Sequence, residues 1–351
     1  MLTFLIMAGG SGERFWPLST KEKPKQLLKI FNEKSLIRLA YERVLPLVSK
    51  DNIFISTNEI QVKALKEELP EVDDSRIIIE PSFKDTASAI SYGSLIISKY
   101  YANPTICVLA SDHLIALEDE FRETITIAST AANKGDIITL GIKPTYPETG
   151  YGYIEVEENI INKPTKALAF KEKPNLDLAQ AYFNSGKYLW NSGMFIFKYQ
   201  TILESLKEYS PNHYNVVLEL DKLITKNNGI TTANLIKETF DKFEKKSIDF
   251  AVMEKANNIV VIPSSFGWND VGSYLAFDEL FPKDTNNNVI RNIKTITIDS
   301  NNNIIVSNGK INQNLALLGV SNMVIAITKD NILVCAKNRV QDVKKILKEI
   351  L

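Results

Sequence analysis

Across its first 282 residues the chain alternates short, apolar, β-branched runs with stretches of helical spacing, and no other feature narrows the fold as far. The runs at 3–7, 53–56, 77–79, 106–109, 137–140 and 260–262 predict strands buried on both faces. Between them, 35–45, 60–69, 87–100 and 121–132 carry the spacing of amphipathic helices. Strands joined through helices pair in parallel. The expected fold class is α/β: a Rossmann-like, mostly parallel mixed sheet with helices on both faces. Ligands in such sheets bind beyond the carboxyl ends of the strands.

The pattern changes after Pro282. All 16 Phe, 13 Tyr, 3 Trp and 13 Pro lie at or before that residue. The remainder is rich in asparagine, with β-branched runs at 295–298, 304–306, 323–327 and 332–334 and an amphipathic end over 340–351. Residues 1–282 are therefore expected as one domain, and 283–351 as a small β-rich, short β-helix-like C-terminal module closed by a helix. Asn286–Asn288 and Asn301–Asn303 read as turns. The module holds 10 Lys+Arg against 5 Asp+Glu, or +5, and the first part 31 against 37, or −6, which together give the net −1 of the chain. A solvated basic face is a simpler account of the module's charge than a specific anionic partner.

Near-neutrality gives no bulk attraction to nucleic acid or to an anionic membrane. Cys107 and Cys335 stand far apart with no Cys-x-x-Cys, which excludes a disulfide scaffold and a zinc ribbon and fits a reducing cytoplasm. The apolar opening from Leu2 to Ala8 lacks a basic flank, so it is not expected to be a signal peptide, and no run approaches the roughly 18 apolar residues of a membrane span. His113 and His213 are the only histidines, which rules out a multi-histidine metal site and leaves two candidates for a histidine base.

Immediately after the first predicted strand stand Gly9, Gly10 and Gly12, then Arg14, Lys21, Lys23 and Lys25. Glycines at a strand-to-helix turn let backbone N–H groups approach phosphate oxygens with no Cβ in the way. Two common phosphate loops are excluded. A Walker A loop needs a second Gly five residues after the first, where Arg14 and Phe15 stand. A dinucleotide fingerprint needs Gly in place of Phe15 and an acid after the second strand, which ends Ser56-Thr57. The concentrated positive charge favours a triphosphate, with Arg14 able to grip phosphate bidentately. A solvent-facing glycine turn with scattered lysines is the plain alternative.

The string Gly9-Gly10-Ser11-Gly12-Glu13-Arg14-Phe15-Trp16-Pro17, continuing through Lys23-Pro24-Lys25-Gln26, resembles the signature of the sugar-1-phosphate nucleotidyltransferases. Further blocks follow in that family's order: Glu80-Pro81 with Thr86-Ala87, Ser111-Asp112-His113, Gly150-Tyr151-Gly152-Tyr153, Phe170-Lys171-Glu172-Lys173-Pro174, Trp190-Asn191-Ser192-Gly193, Ser247-Ile248-Asp249, and Gly267-Trp268-Asn269-Asp270-Val271-Gly272-Ser273. The resemblance covers essentially the whole chain, and within the family it is to members that use GTP and mannose 1-phosphate. Two departures stand out. The family's Arg-Asn-Thr-Ala-Pro-Ala reads Lys84-Asp85-Thr86-Ala87-Ser88-Ala89 here, and the aromatic closing the Gly-Ser-Trp block is Tyr274.

The resemblance implies transfer of GMP from GTP to mannose 1-phosphate with release of pyrophosphate, assisted by Mg2+. Carried over residue by residue, it makes Arg14, Lys25 and Asp112 catalytic and Asp112 with Asp270 the Mg2+ ligands. Gly9, Gly10, Gly12, Glu80, Asp85 and Thr86 would bind the nucleotide. Gly152, Glu172, Lys173, Asn191 and Asp249 would bind the sugar phosphate. Guanine presents adjacent N–H donors, so an acceptor-only carboxylate suits it, and of Glu80 and Asp85 the former is expected to read the base.

Taken one at a time, these residues also have plainer accounts: a helix N-cap for Asp112, a turn for Asp270, a surface ion pair for Glu172 and Lys173. Another hexose 1-phosphate or nucleotide stays open, as does a homodimer through exposed β-edges of the tail. A non-catalytic nucleotide-sugar-binding regulator is disfavoured because Arg14, Lys25, Asp112 and Asp270 are all present. A glycosyltransferase is disfavoured because no Asp-x-Asp lies near Asp112.

Overall fold

The strand that precedes the glycine loop, Leu2–Met7, lies inside a nine-stranded sheet. Along the sheet the order is Ile77–Glu80, Ile53–Asn58, Leu2–Met7, Thr105–Ala110, Tyr188–Lys198, Ile137–Ile142, Ile259–Ser264, Thr165–Lys171, Tyr153–Val156. Only Thr165–Lys171 and Tyr188–Lys198 run against the others. This computed structural model describes residues 1–31, 33–225, 230–309 and 313–350.

All six runs predicted as strands are strands in this sheet, and the four predicted helices form as Leu36–Val44, Glu59–Glu68, Thr86–Ser98 and Glu118–Ala131. Side-chain alternation divides the core in two. Leu5, Ile106 and Val108 face one layer with Ile90, Leu95 and Ile97 of the Thr86–Ser98 helix. Phe4, Ile6, Cys107 and Leu109 face the other with Ile37, Tyr41, Phe121 and Ile125. Helices thus cover both faces, as a sheet of buried strands requires. Local caps start two of them: Ser35 accepts from the Arg38 N–H and Asn58 from the Gln61 N–H.

The C-terminal part stacks Val289–Arg291, Ile304–Ser307 and Met323–Ile327 in parallel, with Lys294–Ile298 beside Asn314–Leu318. Ile332–Ala336 closes the stack antiparallel, and the predicted helix forms over Val343–Ile350 after a 3-10 segment, Lys337–Asp342, while Leu351 lies outside the described residues. The asparagine triplets do more than turn the chain. Buried Asn288 and Asn303 form a ladder between coils: the Asn303 side chain donates to Asn288 Oδ1 at 3.0 Å and to the Val320 carbonyl at 2.8 Å. The Met323 N–H donates to Asn303 Oδ1 at 3.0 Å.

A third core joins this stack to the region after the glycine loop. Phe15, Leu18, Val271 and Tyr274 pack with Val289, Ile304, Val324, Val340 and Val343. Tyr274, fully buried, donates its hydroxyl to the carbonyls of Phe15 at 2.9 Å and Trp16 at 3.1 Å. The Trp-to-Tyr departure therefore supplies a hydrogen bond that pins the loop. Tyr274→Phe removes both bonds, although the Phe15 carbonyl keeps the Ser19 N–H at 3.0 Å, and is expected to cost about 0.5–1.5 kcal/mol in urea unfolding. An unchanged unfolding midpoint would show that these bonds contribute nothing.

Candidate active site

Side-chain donors shape the glycine loop from below. Gln26 Nε2 donates to the Ala8 carbonyl at 2.7 Å, Asn58 Nδ2 to the Gly9 carbonyl at 3.3 Å, and Gln61 Nε2 to the Gly10 carbonyl at 3.1 Å. The N–H groups of Gly9, Gly10, Ser11 and Gly12 have no acceptor among the described residues. Carbonyls tied down and amides left free make an anion-binding nest. Gly12 adopts φ 62°, and a Cβ there would lie 2.6 Å from the Lys25 backbone nitrogen, so only glycine fits. Arg14 follows in the short turn Glu13–Phe15, exposed, its only side-chain bond among the described residues a 3.4 Å contact to the Gly272 carbonyl. Gln26, Asn58 and Gln61 carry no role in the sequence reading, and Gln26 is signalled only by standing next to Lys25.

Asp112 lies just beyond the strand Thr105–Ala110, at its carboxyl end. It is not a helix cap. Leu114–Ile115 form a small antiparallel ladder with Trp268–Asn269, and that pairing brings Asp270 beside Asp112. Lys25 ties the two together: its buried ammonium lies 2.8 Å from Asp112 Oδ2 and donates to the Asp270 carbonyl at 2.6 Å. Burial would raise the Asp112 carboxyl, but the Lys25 ammonium and the His113 ring outweigh it and hold it below the ordinary aspartate value. Asp270 Oδ1 accepts from the Tyr151 hydroxyl at 2.6 Å and from the Gly272 N–H at 3.0 Å. Tyr151, wedged edge-on against Trp190 and Trp268, is a positioning residue that the sequence shows only as part of a family block.

Of the two histidines, only His113 stands at the site, next to Asp112 and with one ring nitrogen occupied. Trp268 Nε1 donates to His113 Nδ1 at 3.1 Å, and burial holds the His113 imidazole below its usual value. His213 is fully buried and pairs with the Ser210 hydroxyl at 2.9 Å.

The residues assigned to the sugar phosphate meet in one cluster. The Asn191 N–H donates to the Gly152 carbonyl at 2.8 Å, and Asn191 Nδ2 to Asp249 Oδ1 at 3.0 Å. A Cβ on Gly152 would come within 2.5 Å of Glu172 Oε2, so glycine makes room for that carboxylate. Glu172 Oε1 pairs with Lys173 at 2.8 Å, while Oε2 is buried without a hydrogen-bond partner among the described residues. Burial, reinforced by the neighbouring Glu172, pushes the Asp249 carboxyl up to about 7.

Glu80, buried, accepts from the Ser56 hydroxyl at 2.6 Å and lies against Gly9, and burial pushes its carboxyl up to about 7. Asp85 has a local structural task. At φ 72° it caps the Thr86–Ser98 helix, accepting from the Thr86 N–H at 2.7 Å. Thr86 Oγ1 accepts from the Ile248 N–H at 2.9 Å, which sets this segment against the one carrying Asp249.

Part of this set lines two adjoining cavities, whereas Glu80, Asp85, Thr86, Gly152, Glu172, Asn191 and Asp249 border neither. One, of about 390 Å³, is bounded by Ser11, Gly12, Arg14, Lys25, Asp112 and Asp270. The other, of about 570 Å³, is bounded by Tyr151, Lys173, Arg14, Asp270 and Gly272. Arg14, Asp270 and Gly272 line both. Among the described residues no group of three or more His, Cys, Asp or Glu side chains could hold a metal ion. Two carboxylates facing a phosphate nest nevertheless suit a hard, strongly hydrated cation that takes its remaining oxygens from water and phosphate. Among the described residues no helix is long and apolar enough to cross a membrane.

The chain is similar to known proteins along its length. A family model described as nucleotidyl transferase matches residues 3–287, and one described as a MannoseP isomerase/GMP-like beta-helix domain matches residues 294–350. A mannose-1-phosphate guanylyltransferase of Salmonella montevideo is 38% identical across 100% of this chain and 74% of its own length. The xanthan biosynthesis protein XanB of Xanthomonas campestris pv. campestris is 36% identical across 99% and 72%. A solved structure from Thermus thermophilus, described as a mannose-1-phosphate geranyltransferase, superimposes with a TM-score of 0.88 at 31% identity, covering 99% of each chain. With a glycine-loop α/β sheet and a β-helix stack both matched along the chain, the protein belongs to the nucleotidyl transferase family.

Proposed function

We propose that this chain transfers GMP from GTP to mannose 1-phosphate, forming GDP-mannose and pyrophosphate. The observation that carries the reading is the pair of cavities meeting at Arg14 and Asp270, one walled by the phosphate nest and the other by Lys173. A nucleotide triphosphate suits the first and a sugar phosphate the second. The phosphorus to be transferred then lies between them, with nucleophile and leaving group on opposite sides as in-line displacement requires. Relatives named for mannose-1-phosphate guanylyl transfer support the choice of substrates.

The second ionisation of a phosphate monoester lies near pKa 6, so the attacking oxygen is already charged at neutral pH and no base is needed. Asp112 and Asp270 would hold Mg2+, which neutralises phosphate charge when bound. Arg14 grips the phosphates at the junction of the cavities, and Lys25 keeps the carboxylates in place while adding positive charge. Lys173 binds the sugar phosphate. The free Glu172 Oε2, with Asn191 and Asp249, accepts sugar hydroxyls. Residues 1–282 form the catalytic domain of this reading and 283–351 its β-rich module. A homodimer is supported by the exposed Ile296, Ile298 and Leu318 on the module's strands, and a cytoplasmic setting by the two free cysteines.

Mixing the protein with Mg2+, GTP and mannose 1-phosphate is expected to release pyrophosphate, with turnover falling about a hundredfold or more in Asp112→Asn. Release that needs no sugar phosphate, or an unimpaired mutant, contradicts the mechanism. A panel of other hexose 1-phosphates and nucleotides run beside it separates this reading from the same chemistry on another substrate.

Guanine's adjacent N–H donors need a carboxylate acceptor, and Glu80 supplies one beside Gly9. Glu80→Gln replaces one acceptor oxygen with a donor and is expected to lower kcat/KM for GTP about tenfold or more. Equal efficiency in mutant and wild type removes Glu80 from base recognition.

Asp249 also gives a pH signature. Its folded-state pKa of about 7 is raised, so between the unfolded aspartate value and about 7 the folded chain binds more protons than the unfolded one. Stability from this group is full at low pH and is lost as pH rises through about 7. The Tm of wild type relative to Asp249→Asn is therefore expected to fall between pH 4.5 and pH 8. A pH-independent difference would show that Asp249 is not held protonated.

A further inference from the structure

Resting on that proposed reaction, we propose that Lys344, in the C-terminal helix, binds the β and γ phosphates of the nucleotide and the pyrophosphate that leaves. The residue comes from the β-helix part of the chain, yet it lines the smaller cavity together with Arg14, Lys25 and Asp112.

The placement follows from packing. Val340 and Val343 are both buried in the core they share with Phe15, which fixes the rotation of this segment. The helix packs against the Glu13–Phe15 turn that carries Arg14. Gln341 and Lys344, each one position beyond a buried valine and three apart from one another, fall on a neighbouring helical face. Gln341 borders the larger cavity and Lys344 the smaller, on either side of the wall that Arg14 shares.

Charge points the same way. The other cations at this helix start are neutralised locally, Arg339 and Lys345 both on Asp342 at 2.5 and 2.6 Å. Lys344 has no ion-pair or hydrogen-bond partner among the described residues. Within the cavity, Glu13, Asp112 and Asp270 outnumber Arg14 and Lys25 by three to two, and Lys344 evens the count. Without it the side chains of the lining would carry a net −1 before any cation binds. Because Lys344 lies in the cavity away from Lys173, its contacts are with the phosphates that depart rather than with the one retained in the product.

The test is calorimetric binding in Mg2+ of GTP, inorganic pyrophosphate and GDP-mannose to wild type and Lys344→Ala, with Tm measured on each. GTP and pyrophosphate are expected to weaken about tenfold, GDP-mannose to bind as before and Tm to stay put. Lys344→Arg should restore most of the loss, and Lys345→Ala should bind all three ligands as wild type does. If wild type binds GTP and Lys344→Ala binds it equally well, the assignment is overturned. Equal weakening of GDP-mannose also overturns it, since the effect is then on the whole site. Failure of wild type itself to bind GTP would instead overturn the proposed reaction, and with it the ligand assigned to Lys344.

Discussion

The site turns on one buried charge. Burying an ammonium costs several kcal/mol unless nearby groups compensate it, and Lys25 is compensated only where three distant segments coincide. Its own turn lies against Gly12, the Asp112 carboxylate arrives from the end of a central strand, and the Asp270 carbonyl arrives from the far end of the domain. The glycine at position 12 follows from this closeness, because any side chain there would collide with the Lys25 backbone. The ionised state of Asp112 follows too, held by the ammonium against the effect of burial. The position and charge of Asp112 and the glycine at position 12 therefore all depend on Lys25, while Gln26, Asn58 and Gln61 hold the rest of the loop.

The same economy joins the two parts of the chain. Phe15 follows Arg14 directly and is buried in a core built largely from the C-terminal stack. Arg14 is therefore positioned from behind by residues near 290, 304, 324 and 340 as much as by the strand before it. Tyr274 adds two hydrogen bonds to the backbone at the same place. A module that looks in sequence like an appendage is a backing plate for the phosphate loop, which explains why its closing helix reaches the cleft.

Much of this was legible because local physics and the site's demands coincide. Strands buried on both faces announce themselves as apolar runs, and a glycine loop after the first of them marks the ligand edge. The strands Tyr188–Lys198, Thr165–Lys171 and Tyr153–Val156 carry no such signal, the first two for opposite reasons. The first carries Asn191, Ser192 and Gly193 in its middle to serve the pocket, and the second alternates with partly exposed positions near the sheet's edge. The β-helix-like tail is expected from its short β-branched runs, but the bonds between its coils are not, because they are made by Asn288 and Asn303, residues that locally signal only a turn. The contact between Tyr151 and Asp270 spans 119 positions, and nothing near either residue marks it. Long-range pairings of this kind are set by topology, which periodicity does not encode.

Scarcity of histidine then becomes informative. Of the two present, His113 borders the smaller cavity with its Nδ1 held by an indole N–H, and His213 is sealed in the core. Two carboxyls, Glu80 and Asp249, are raised to about 7. Both lie away from the junction where Arg14 and Asp270 meet, among residues suited to gripping a base or a sugar. At the junction itself a guanidinium and a carboxylate stand together. That division suits a nucleophile that arrives already ionised, leaving the protein to align and neutralise rather than to deprotonate.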